Sequence, residues 1–147
     1  MRLQGEGAVI AAVAVGGALG SAARYATTLA WPAPPGSFPT ATLVVNAVGC
    51  AAIGVLMVVI SEVRTPHRLV RPFFGTGVLG GFTTFSAYTV DIQQLLHGGR
   101  TGLALVSLLG TVATALAAVV TATAVTRRLL VRGTELTGGL QQAEERS

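Results

Sequence analysis

Thr42 and Asn46 stand four residues apart in an otherwise apolar stretch, which puts a hydroxyl and an amide on one face of a helix. Gly49 and Cys50 continue that face with small side chains. A second polar set, Ser107, Gly110, Thr111 and Thr114, has offsets of 0, 3, 4 and 7, and Thr121 extends the stripe. A third lies in Gly75-Thr-Gly-Val-Leu-Gly-Gly-Phe-Thr-Thr-Phe-Ser86, where Gly80 and Gly81 are followed by Thr83, Thr84 and Ser86. Phe85 and Tyr88, three apart, share a helix face just beyond. Amide, hydroxyl and aromatic ring edge all present partial positive charge. Such groups suit a small desolvated anion, which needs hydrogen bonds from several directions to offset lost hydration.

Each set also has a plainer reading. Asn46 is either an interhelical hydrogen bond or an amide donor lining a polar pathway. The hydroxyl stripe either bonds back to its own helix carbonyls or faces a partner. The glycine pair either permits a simple kink or breaks a membrane helix and frees carbonyls for a cation. The run Gly75 to Gly80 also fits G-x-G-x-x-G, but a dinucleotide loop needs a strand before it and an acidic residue about 20 positions on, and membrane helix surrounds this one. Catalysis finds no His, carboxylate and nucleophile at usable spacing, and His67 and His97 read as solvated connector residues. The chain is therefore not expected to be an enzyme. Cys50 is the single cysteine and reads as a small buried packing residue.

The elements that must position these groups are membrane helices. Of 147 residues, 51% are hydrophobic and 11% are charged, where a soluble domain usually carries about 25%. Four apolar runs, 8–29, 41–60, 73–96 and 102–125, have the length of a bilayer crossing. Clusters rich in Pro or Gly separate them, and Trp31 suits a membrane interface. The first run, headed by Arg2, resembles a signal peptide but continues past any cleavage point and is expected to be a retained helix. Residues 1–132 form one domain in this reading, and the polar tail 133–147 is expected to be frayed. The arginines do not form a nucleic-acid stripe, so no nucleic-acid partner is expected. Arg2, Arg64, Arg68, Arg71, Arg127, Arg128 and Arg132 would share one side, against Arg24 and Arg100, and that bias predicts cytoplasmic termini. Arg24, ending the first run, would add a favourable field near an entrance.

The stretches Gly16-Gly-Ala-Leu-Gly-Ser-Ala-Ala-Arg24-Tyr25, Thr42-Leu-Val-Val-Asn46-Ala-Val-Gly49 and Gly75 to Ser86 resemble, in order, those of the Fluc (CrcB-type) fluoride channel family. The resemblance covers roughly residues 8 to 125. It implies an all-α membrane protein of four transmembrane helices, the third broken near Gly80-Gly81. Two chains would pair antiparallel in the cytoplasmic (inner) membrane, in contact with lipid, to export toxic fluoride passively and confer fluoride resistance. It further implies a structural sodium ion at the dimer centre, held by the backbone carbonyls of Gly80 and Thr83. The fluoride pore would use Asn46, Thr42, Phe85, Tyr88, Ser107 and Thr111, with Thr84, Ser86 and Arg24 near it. Two positions depart from the family pattern: Tyr88 stands where Phe is usual, and Ser107 where a tyrosine is usual. The arginine bias of seven to two also departs from homodimers that insert both ways, and so points to a heterodimer with an oppositely oriented homologue; a homodimer is the other possibility. Two rivals are a small proton-coupled multidrug exporter, which needs a carboxylate deep in its first helix, and a non-transporting membrane assembly protein.

Overall fold

The structure, a computed structural model, describes residues 2–62 and 67–144, and side chains within 6–62 and 67–130. Arg2, Arg64 and Arg132, used in the charge balance, therefore lie outside the described side chains. Among the described residues every regular element is helical. Helix α1 spans Arg2–Ala30 and α2 spans Thr40–Glu62. A π-helical stretch, Arg71–Leu79, runs into one α-turn, Gly80–Phe82, and the two together are α3. Helix α4 spans Ser86–His97 and α5 spans Thr101–Glu144, past the polar boundary at Arg132. Three stretches are apolar and long enough to cross a membrane: Glu6–Ala30, Thr40–Glu62 and Thr101–Leu130.

Between α3 and α4 the backbone is not helical at residues 83 to 85. Thr83 turns to an extended conformation, with φ −72° and ψ 154°, so the helix stops there. Gly80 and Gly81, expected at the break, are themselves helical. Their neighbourhood gives the reason. A Cβ on Gly81 would strike the Gly17 carbonyl, so this glycine permits close approach rather than bending.

The same logic holds all along α1 and α3. A Cβ on Gly16 would sit 2.5 Å from the Phe73 carbonyl oxygen, and one on Gly20 would strike that of Val78. Opposite them, a Cβ on Gly77 would lie 3.0 Å from Cα of Gly16. The two backbones meet with almost no side chain between them. Helix α2 packs in turn on α5, where Gly54 faces the Val119 carbonyl at 2.7 Å from a built Cβ. The molecule is thus two tight helix pairs, α1 with α3 and α2 with α5, with α4 against α5. Outward faces are aliphatic: Ile10, Leu19, Leu109, Leu116 and Val120 are exposed, as lipid-facing residues are.

Candidate functional site: the helix break and its cavity

Asn46 holds the break. Its Nδ2 donates to the Thr84 carbonyl at 3.0 Å, and its Oδ1 accepts from the Thr84 N–H at 2.9 Å. Both backbone groups of one non-helical residue are thereby paired in a buried place, where leaving them bare would cost about 1–3 kcal/mol each. The donor and acceptor roles also fix which way the carboxamide points. One turn earlier on the same face of α2, Thr42 Oγ1 donates to Asp91 Oδ2 at 2.6 Å. One turn later, a Cβ on Gly49 would strike the Thr83 methyl. The spacing of Thr42, Asn46 and Gly49 thus places one contact on α4, one on the break and one on the end of α3.

From the opposite side α1 reaches the same segment. Arg24 Nε donates to the Gly81 carbonyl at 3.2 Å, and Ser21 Oγ donates to it at 3.4 Å. Sequence reasoning singled out Arg24 as a field at an entrance; the structure lays its guanidinium on the carbonyl just before the break. Ser21 and Asp91 carried no such expectation. Ser21 was hidden among small residues of α1, and the partner of Asp91 lies 49 positions away.

The break redirects two hydrogen bonds. In an unbroken helix the Thr84 amide would bond to the Gly80 carbonyl, but it goes to Asn46. Likewise the Ala87 amide, regular partner of the Thr83 carbonyl, donates to Thr84 Oγ1 at 3.1 Å. Thr84 thus also caps the start of α4, and its hydroxyl shares a 3.3 Å hydrogen bond with Ser86. Gly80 and Thr83, the two residues expected to offer carbonyls to a cation, are among the carbonyls of residues 80–84 that lack their helical donor; those of Gly81 and Thr84 accept from side chains instead. Thr83 Oγ1 is engaged separately, donating to the Leu79 carbonyl at 2.9 Å. No group of three or more His, Cys, Asp or Glu occurs among the described residues.

A cavity of about 250 Å³ opens beside the break, lined by Asn46, Thr83, Thr84, Phe85, Tyr88 and Thr111 together with Cys50, Val112 and Ala115. It gathers five of the residues expected at a pore. Thr42, Ser86, Ser107 and Arg24 stand outside its lining. Cys50, read from sequence as a buried packing residue, is half-exposed and forms part of this wall. Phe85 is 79% exposed, while Tyr88 is buried, and their ring centroids are 5.7 Å apart with planes at 48°.

Tyr88 Oη donates to the Leu108 carbonyl on α5 at 2.8 Å. The phenol that departs from the family pattern is therefore tied to a neighbouring helix, and its ring is fixed. Tyr88→Phe should lower stability by about 0.6–1.5 kcal/mol, the range for one such bond between membrane helices. Thermal unfolding in detergent measures it, and an unchanged midpoint would show the bond to be unformed. On either side of Leu108 along α5, Ser107 Oγ and Thr111 Oγ1 are buried without a hydrogen-bond partner. Back-bonding to their own helix therefore does not account for them. Such orphan hydroxyls in a native interior call for an occupant or a function.

Glycine-lined helix contacts, aliphatic outer faces and three apolar helices long enough to cross a membrane define a multi-pass helical membrane protein. Residues 11–123 match the family described as "CrcB-like protein, Camphor Resistance (CrcB)", and the chain belongs to that family. It is 61% identical to "Fluoride-specific ion channel FluC 1" of Streptomyces coelicolor over 83% of this chain and 79% of that one. Against "Fluoride-specific ion channel FluC 2" of Nocardia farcinica the identity is 52%, over 82% of this chain and 86% of the relative. Against "Fluoride-specific ion channel FluC 3" of Streptomyces avermitilis it is 43%, over 87% and 63%. These relatives are named as channels, not enzymes.

Proposed function

We propose that the chain forms a fluoride-selective channel that lets the ion leave the cell passively. The observation that carries this is the cavity at the break, which brings Asn46, Phe85, Tyr88 and Thr111 together, with the unpartnered Thr111 hydroxyl buried beside it. Fluoride is small and a strong acceptor, so an unengaged hydroxyl donor in a low-dielectric wall is well matched to it. The relatives' names make fluoride the anion of choice over chloride. No carboxylate lines the cavity, and the described carboxylate of α1, Glu6, stands near its start. A proton-coupled multidrug exporter needs one deep in the helix.

Neither half of the broken segment has the ~20 residues of a crossing, so α3 and α4 would make the remaining crossing together. Freed backbone is tolerated at membrane depth only when buried in protein or lining a cavity. That requirement, with Phe85 left 79% exposed, argues for a second subunit over the break. We take the assembly to be an antiparallel dimer with cytoplasmic termini. The carbonyls of Gly80 and Thr83 fit a sodium ion shared across it, because their regular donors are diverted and two oxygens from one chain leave a hard cation's shell incomplete. When bound, that ion would supply positive charge to gather the carbonyls. The arginine bias favours an oppositely oriented homologue as partner, and Streptomyces avermitilis has relatives numbered 2 and 3.

Fluoride efflux from liposomes, with chloride and an organic cation in parallel, tests the function. Efflux from liposomes holding this chain alone would overturn the obligate heterodimer while supporting the channel. Thr111→Val separates pore from packing. It removes an orphan hydroxyl at nearly constant volume, so stability should hold or rise while fluoride efflux falls. Undiminished efflux would remove Thr111 from the path.

A further inference from the structure

Asp91 is the described carboxylate that lies in the middle of a helix: Glu6 stands near the start of α1, and Glu62 ends α2. Among the described residues no cation pairs with it, and the ion pair joins Glu62 to Arg127. What it has instead is the Thr42 hydroxyl, donated to Oδ2 at 2.6 Å, a short charge-assisted bond. An ionisable group without a counter-ion at membrane depth calls for a role. Its place suggests one. On α2, Asn46 lies one turn after Thr42 and lines the cavity at the break; on α4, Tyr88 lies three residues before Asp91 and lines it too. Asp91 itself lines a different cavity of about 190 Å³, walled by Gln94 and Leu95 of α4 and by the loop at Pro34, Gly36 and Ser37. Arg100 borders that loop, its Nε 3.2 Å from where a Cβ on Gly36 would sit. The order along both helices is therefore loop cavity, Thr42–Asp91 bond, break cavity.

We propose that Asp91 is a gatekeeping residue of the anion path, set between the two cavities and limiting passage from one to the other. This rests on the channel reading above. The carboxylate holds the hydrogen of Thr42, so that hydroxyl is not a standing donor for an ion. An anion moving between the cavities must take the hydrogen from Asp91 and pass a like charge as it does so. Fluoride, small and a strong acceptor, competes for a hydroxyl hydrogen better than a larger, softer anion does. Arg100 draws anions towards the loop cavity, and Asp91 opposes their going further.

The experiment uses the full chain in liposomes, joined by an oppositely oriented homologue where the chain alone is silent. Asp91→Asn keeps the size of the side chain and an oxygen that can accept from Thr42, and it removes the charge. Fluoride efflux should rise about threefold or more at low ionic strength, the scale of removing one screened unit charge. That excess over the unsubstituted chain should shrink as an impermeant salt is added. Efflux equal to or below that of the unsubstituted chain overturns the proposal and leaves the channel reading intact. So does a rise that ionic strength does not touch, which would mark a loosened helix contact in place of a charge. Thermal unfolding shows whether the variant is folded, and Asp91→Ser is the second variant. Loss of the folded protein in both would assign the pair to packing and overturn the proposal too. Absent efflux from the unsubstituted chain, with and without the homologue, sinks the channel reading and the gate with it.

Discussion

Asn46→Leu should abolish fluoride efflux and destabilise the protein by about 2–6 kcal/mol. The figure follows from two buried backbone groups of Thr84 losing their partners at about 1–3 kcal/mol each. Leucine has asparagine's branched shape but no polar atom, so the break would have to repack or find other donors. Asn46→Asp makes the sharper variant. Its carboxylate still accepts from the Thr84 N–H, yet it faces the Thr84 carbonyl with no donor and sets a negative charge in the cavity wall. A unit charge 4 Å from a passing anion opposes it by about 4 kcal/mol at an effective dielectric of 20, enough to suppress passage well beyond tenfold. Efflux in liposomes and thermal unfolding in detergent read the two consequences separately. Wild-type efflux from Asn46→Asp would show that the amide stabilises the break without meeting the ion.

Gly20→Ala is expected to be the most damaging small substitution in α1. A methyl group there would strike the Val78 carbonyl oxygen and lie 2.8 Å from the Phe82 amide nitrogen. Backbone atoms cannot rotate aside as a side chain can, so α1 must move away from α3. Overpacking of this kind costs about 1–3 kcal/mol, and here it also draws Ser21 and Arg24 off the Gly81 carbonyl. Gly110→Ala is the control, because a Cβ there meets nothing within 4 Å and alanine favours the helix by about 1 kcal/mol. Equal unfolding midpoints for the two variants would contradict the close contact of α1 and α3.

Some of this was legible in the sequence and some was not. Asn46 announced itself because an amide in an apolar run needs a reason, and Ser107 with Thr111 did so through helical period. Their shared isolation from hydrogen-bond partners was not legible, since a serine that bonds back to its own helix has the same sequence as one that does not. The glycine pair misplaced the break by three residues. Glycine marks both flexible backbone and close approach, and only the Gly17 carbonyl opposite Gly81 decides between them. The π-helical form of Arg71–Leu79, which packs on α1, carries no signature that the sequence reading used. Cys50, expected to be buried, is half-buried and meets the cavity, a position that the apolar residues beside it in sequence do not reveal. The hydroxyl of Thr42 was assigned to the pore without its partner, because Asp91 joins it only in the folded chain.

The join of α3 and α4 is held from two directions: Asn46 on α2 holds Thr84 in the non-helical segment, and Ser21 and Arg24 on α1 hold the Gly81 carbonyl at the end of α3. Elsewhere the two helix pairs touch only lightly, α2 meeting both α1 and α3. Three non-helical residues therefore act as a mortise joint between two rigid leaves. Slack in such a joint would let the leaves slide and change the width of the cavity; clamping it from both sides holds that width constant. In the channel proposed above, such a joint would set the width of the path before any ion arrives.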